Sequence, residues 1–216
     1  MTVSSVYADT TDGYIVGVDF GGDYNAARDT ANASDATQTA SAVGQVDFGD
    51  GEIDVYRLIF PFTLSLGVGA VISAAELRFT RAGGSPVRDF GITCHRHTTA
   101  STPLSGAQEA NYDGCLNAGG AVDEGQVAAT PAAWAVDTDK ARTVDAASVN
   151  PNGTTYYVLL SEDDDATAAP LSGEDQTITV YMGDHATDAK KPRLTVTWSV
   201  PGGPTVQSLA LFGVGG

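Results

Sequence analysis

Every second position is apolar in the longest hydrophobic stretch of the chain, residues 55–81, VYRLIFPFTLSLGVGAVISAAELRFTR. Tyr56, Leu58, Phe60, Phe62 and Leu64 fall on one face of an extended segment. Ala75, Leu77 and Phe79 share a second face, opposite Glu76, Arg78 and Thr80. The pattern predicts two long strands joined by a short glycine-containing connection, a central hairpin around which the rest is organised. The first strand is nearly continuous in apolar residues, which predicts burial on both faces and a bend or bulge at Pro61. That proline and the even spacing exclude a helix.

Further runs predict strands at residues 3–9, 14–20, 43–48, 87–97, 132–137, 154–161, 176–183 and 193–199, set off by Gly, Pro, Asn or Asp. Residues 21–42 and 98–129 read as long surface loops, the first with a short helical turn at 24–29. About nine strands with almost no helix predict an all-β fold, an antiparallel jelly-roll β-sandwich with long surface loops and a C-terminal extension. Residues 1–200 are the expected sandwich domain and 201–216 a hinge and apolar arm. Besides the hairpin faces, the expected core takes Trp134 and Val136; Tyr156, Val158 and Leu160; Ile178, Val180 and Met182; and Leu194, Val196 and Trp198. Each such side chain, fully buried, contributes about 1.5–3 kcal/mol.

Arg57-Leu58-Ile59-Phe60-Pro61-Phe62, followed by Gly69-Ala70-Val71-Ile72-Ser73-Ala74-Ala75-Glu76-Leu77-Arg78-Phe79, resembles a motif of the DNRLRE-type, carbohydrate-binding-module-like β-sandwich family. Tyr7-Ala8-Asp9-Thr10 is similar to that family's opening strand, and Lys191-Pro192-Arg193-Leu194-Thr195-Val196-Thr197-Trp198 to its closing one. The match is discontinuous but in order from residue 7 to 198; the family's tryptophan-containing segment is absent, and residues 98–104 stand in its place. The resemblance implies a sandwich that binds polysaccharide or serves as a structural part of surface and virion proteins. It also implies that a structural calcium is common. Fold likeness alone leaves the function open.

Charge removes some partners. The 216 residues carry 27 acidic and 11 basic side chains, a net charge of −16. Scattered basic residues give no face for a nucleic acid backbone or an anionic membrane. No run reaches the length of a membrane span, and the first ten residues, MTVSSVYADT, lack the basic start and apolar core of a secretory signal. No nucleophile elbow, phosphate loop or H-E-x-x-H motif occurs, so a non-enzymatic role is expected.

Cys94 and Cys115 flank a loop and either close a disulfide or remain two buried thiols. Cys94-His95-Arg96-His97 invites a zinc reading, but on a strand Cys94 faces away from both histidines. Two acidic clusters, Asp47, Asp50 and Glu52, and Asp163, Asp164 and Asp165 beside Glu162, are calcium candidates against the reading of solvated turns. No other cofactor is expected. Tyr14, Tyr24, Tyr112 and Tyr157 are the candidate platforms for stacking on sugars.

The last clue is the end of the chain. After Pro201-Gly202-Gly203-Pro204 comes an apolar segment bearing Val206, Leu209, Leu211 and Phe212, which is expected to be covered by its own sandwich or by a neighbouring subunit. The expected role is a structural protein of a virus particle that associates with copies of itself or with other virion proteins. The alternative is a carbohydrate-binding module, extracellular or at a cell surface, that holds surface glycans.

Overall fold

The structure, a computed structural model, describes residues 1–100, 104 and 108–201. The apolar arm Val206, Leu209, Leu211 and Phe212 lies outside the described residues. In chain order the elements are β1 (Thr2–Tyr7), β2 (Gly13–Asp19), α1 (Tyr24–Asp29), β3 (Ala33–Asp35), β4 (Ala40–Asp47), β5 (Ile53–Thr63), β6 (Val71–Gly83) and β7 (Ile92–His97). There follow α2 (Glu109–Asp113), β8 (Val122–Ala128), β9 (Asp139–Val144), β10 (Thr154–Ser161), α3 (Glu162–Asp165), β11 (Asp175–Tyr181) and β12 (Arg193–Ser199). The fold is all-β: one curled antiparallel sheet with short helices, in the order β1-β12-β6-β11-β4-β5-β10-β7-β8. β9 adds to β6, and β2 adds to β5 and carries β3.

The expected central hairpin is not one. β5 pairs with β2, β4 and β10, whereas β6 pairs with β12, β9 and β11. Residues 64–70 carry the chain across the core, turning at Gly67 and Gly69, both in the left-handed region that glycine tolerates best. The two apolar faces therefore meet across the core, with the Phe60 and Phe79 rings 5.1 Å apart. Alternation settles which side chains turn inward and leaves the pairing of the strands open.

β5 is buried on both faces, as its composition predicts. Leu58, Phe60 and Phe62 enter the main core with Leu77, Phe79, Ile178, Val180, Met182, Leu194 and Val196; Ile59 enters a second cluster on the opposite face. Pro61 causes no bulge, because the register with β10 runs through it. Its carbonyl accepts from Asp9 N (3.0 Å), so its nitrogen faces the same edge, beyond the point where β2 stops pairing at Gly13. No ladder bond is lost there.

Other expectations shift with the structure. In β10 the main core takes Tyr157 and Leu159, while Val158 and Leu160 join the second cluster. A strand buried on both faces has no polar side to mark its register. Residues 132–137 are not a strand: Thr130 Oγ1 caps a 3₁₀ turn at Pro131–Ala133, Trp134 is buried and Val136 is exposed. Tyr56 is only half-buried. β8 and β9 are hidden in the sequence by their charged residues, yet both pair, with Thr143 opposite Glu76 and Gly125 opposite Cys94. The helical turn at 24–29 is α1, begun by Asp23, whose carboxylate accepts from Asn25 N and Ala26 N.

Candidate functional site

The second face of β2, β5, β7 and β10 is covered by loops rather than strands, and Arg57 fastens them. Its fully buried side chain donates through Nε and Nη2 to the Asp164 carboxylate at 2.7 and 2.9 Å. Nη1 donates to Tyr112 O and Nη2 to Arg28 O, at 2.7 and 2.9 Å. The guanidinium carbon lies 3.7 Å from the centre of the Tyr112 ring. One side chain thus ties α1, α2 and α3 to β5. Burial acts to lower the Arg57 pKa, but the Asp164 carboxylate, together with Tyr112 and Cys115, more than offsets it and keeps the guanidinium charged. Tyr112 donates to Ala27 O (2.8 Å), and Gly17 makes room, since a Cβ there would sit 2.5 Å from the tyrosine oxygen.

This geometry reassigns the acidic candidates. Asp164 is the partner of Arg57, and Ser161 Oγ accepts from its amide as the cap of α3. Asp163 accepts from Gln176, and Asp165 accepts from Asn117 N and Nδ2 (3.3 and 2.9 Å). In the other cluster Asp47 accepts from Gly49 N (2.7 Å) and Asp50 from Glu52 N (3.2 Å), so these carboxylates close turns. Among the described residues no group of three or more His, Cys, Asp or Glu is arranged to hold a metal ion.

Cys94 and Cys115 are buried free thiols, not a disulfide. Cys94 sits in the main core and Cys115 in the second cluster. Burial pushes the Cys115 thiol up to about 12 and raises that of Cys94 too, so neither is a reactive thiolate. The two histidines share the face opposite Cys94, as strand alternation predicts, and hold the loop that carries Cys115. His95 Nδ1 lies 2.9 Å from Cys115 O. His97 Nδ1 accepts from Thr99 N (3.1 Å), so its Nε2 is the donor to Asn111 O at 3.0 Å. Both nitrogens of that ring are in use, and burial lowers its pKa toward the neutral form.

The expected sugar platforms are largely core residues. Tyr24, Tyr112 and Tyr157 are buried, and Tyr14 is half-buried against the tilted Tyr56 ring. Tyr24 and Tyr112 lie in stretches that read as loops, and loop residues that cover a sheet carry no periodic signal of burial. The surface aromatic cluster lies elsewhere. Tyr181 donates to Asp137 (2.8 Å), Lys190 Nζ stands 2.6 Å from the same carboxylate and 4.6 Å from the Tyr181 ring centre, and His185 meets that ring edge-on. Nothing in the sequence brings residues 137, 181 and 190 together.

β1, β12, β6 and β9 pair side by side and present an outer face. A shallow depression of about 290 Å³ runs over it, lined by Ala74, Ala75, Glu76, Thr143, Thr195 and Thr197. Ser5 and Thr195 hydroxyls bond across it at 2.9 Å. β1 pairs with β12 alone, leaving its outer edge open among the described residues. A cleft of about 210 Å³ of mixed charge lies between Arg28, Asp29, Asp113 and Leu116. Among the described residues no helix is long and apolar enough to cross a membrane.

No protein-family model matches the chain, and no curated protein matches it either. The resemblance drawn from residues 7–10, 57–79 and 191–198 rests on those residues alone.

Proposed function

We propose that this chain is a non-enzymatic structural protein of a virus particle, a capsid decoration or fibre component of a tailed phage, built on a carbohydrate-module-like jelly-roll sandwich. The observation that carries the reading is the edge of β1, open among the described residues. Thr2-Val3-Ser4-Ser5-Val6-Tyr7 has neither charge nor proline, in a chain of net charge −16. An edge of that kind is a template for pairing with another chain. The buried polar groups support the same reading: Arg57, Asp164, His95 and His97 all hold loops still, which suits a rigid building block. The resemblance to a family with structural members in virions supplies the particle.

The carbohydrate-binding alternative keeps one specific site, the Tyr181 cluster. A sugar stacking there has to displace Lys190 from the ring. Antibody raised against the purified protein is expected to label phage particles from the source culture by immunogold microscopy. Unlabelled particles, together with a selective glycan-array signal that Tyr181→Ala abolishes, would replace the virion reading with the module.

A further inference from the structure

We infer that two copies of this chain pair along the open edge of β1, antiparallel and about a two-fold axis that sets Ser5 opposite Ser5 of the second copy. The inference deepens the assembly reading and rests on it only in taking the chain to associate.

The hydrogen bonds at the end of β1 show which backbone groups are free. Ala8 N donates to Pro192 O (2.9 Å), in line with the register that sets Val6 opposite Leu194, so the even-numbered residues of β1 turn their backbone groups to β12. Asp9 N turns the other way, to Pro61 O (3.0 Å). Alternation then points the N–H and C=O of Val3, Ser5 and Tyr7 away from β12, where they have no strand partner among the described residues. The same residues raise their side chains from the outer face, with Val3 65% and Tyr7 39% exposed, whereas Val6 packs on the main core.

Charge and register both make a second copy the occupant. Among the described residues β1, β3, β8 and β9 each pair with one strand alone. β3 carries Asp35, β8 carries Asp123 and Glu124, and β9 carries Asp139, Lys140 and Arg142, charges that guard an edge; β1 carries none. A neutral strand offers no attraction to a basic partner, and it lets a second body of net charge −16 approach without setting like charges face to face. The strand is also complementary to itself. With Ser5 opposite Ser5, each Val3 lies opposite the other copy's Tyr7, so every outward N–H and C=O of these residues meets its counterpart. Each exposed valine then covers an exposed tyrosine ring on the outer face, a favourable cross-strand pair. The next registers on either side fail: one sets Val3 opposite Asp9, whose N–H is already taken by Pro61, and the other leaves Tyr7 without a partner inside β1.

Sedimentation velocity on the full chain and on full-length Ser5→Lys and Ser5→Glu tests this. The full chain is expected to dimerise as its concentration rises. Either variant alone sets two like charges face to face and is expected to weaken dimerisation about tenfold or more. An equal mixture of the two is expected to recover it as a mixed dimer, because the axis sets residue 5 against residue 5; recovery also shows that both variants are folded. In the unsubstituted chain the amides of Val3, Ser5 and Tyr7 are expected to exchange hydrogen more slowly as concentration rises, with those of Ser4 and Val6 unchanged. A full chain that stays monomeric at every concentration overturns the inference. So does undiminished dimerisation in Ser5→Lys, and so does a mixture that stays monomeric while both variants melt cooperatively as the parent does. A mixture of Val3→Lys and Val3→Glu that dimerises as well as the Ser5 mixture overturns the register, since Val3 then faces its own copy instead of Tyr7. Particle labelling is independent of these outcomes, because a monomer in solution can still be a particle protein.

Discussion

Asp12 is a residue whose ionisation the fold strongly alters. It is almost fully buried at the turn between β1 and β2, its Oδ2 accepts from Gly183 N at 2.7 Å, and its Oδ1 has no hydrogen-bond partner among the described residues. Burial pushes its carboxyl up to about 8; the Gly183 bond works against this, and Asp184 and Asp9 add to it. The unfolded chain loses this proton near the ordinary value of 3.8. Between about pH 4 and pH 8 the folded state therefore binds one proton more, and stability contributed by Asp12 falls as pH rises, by up to about 1.4 kcal/mol per pH unit. Urea unfolding across that window is expected to show the fall, and Asp12→Asn, which keeps an oxygen for Gly183 N, is expected to flatten it. Equal slopes in the two proteins would show that Asp12 is ionised in the fold. Its sequence context, Thr11-Asp12-Gly13, reads only as a turn; burial comes from segments far along the chain.

Among the elements, the strands are far more legible in the sequence than the layer of loops above them. Alternation places Leu77, Phe79, Ile178, Val180, Leu194 and Val196 inside, because the other face of each of their strands is wetter and more polar. The helices α1, α2 and α3 have no comparable signal, and the buried Arg57–Asp164 pair is at the centre of the bonds that hold them. Arg57→Met leaves buried Asp164 with only Arg28, 3.5 Å away, as a cation, and is expected to lower stability by about 3–5 kcal/mol. The double variant Arg57→Met/Asp164→Leu removes both charges and is expected to recover most of that loss. Chemical denaturation of the two variants checks this, and a double variant as unstable as the single one would mean that the bonds from Arg57 to Tyr112 O and Arg28 O carry the loss. The sequence shows Asp164 in a calcium-like acidic run because the run is local, whereas its partner lies 107 positions away.

For the whole molecule, charge is the property that composition states most directly. A net charge of −16 opposes compaction by self-repulsion that salt screens, over about 10 Å at 0.1 M. Added sodium chloride is expected to raise the melting temperature, while the buried Arg57–Asp164 pair is screened little; a melting temperature that falls with salt would show exposed ion pairs outweighing the repulsion. The charge, the strand-rich pattern and the inward side chains of β5, β6, β11 and β12 were all determined by the sequence itself, because composition and period-two alternation are local quantities. Tertiary structure alone decided that β5 and β6 face each other instead of pairing, that Cys94 and Cys115 lie in different clusters, that Asp164 meets Arg57, and that Tyr24 and Tyr112 are interior. Each of these depends on which distant segments share an edge or a face, and alternation along one strand carries no information about its neighbours.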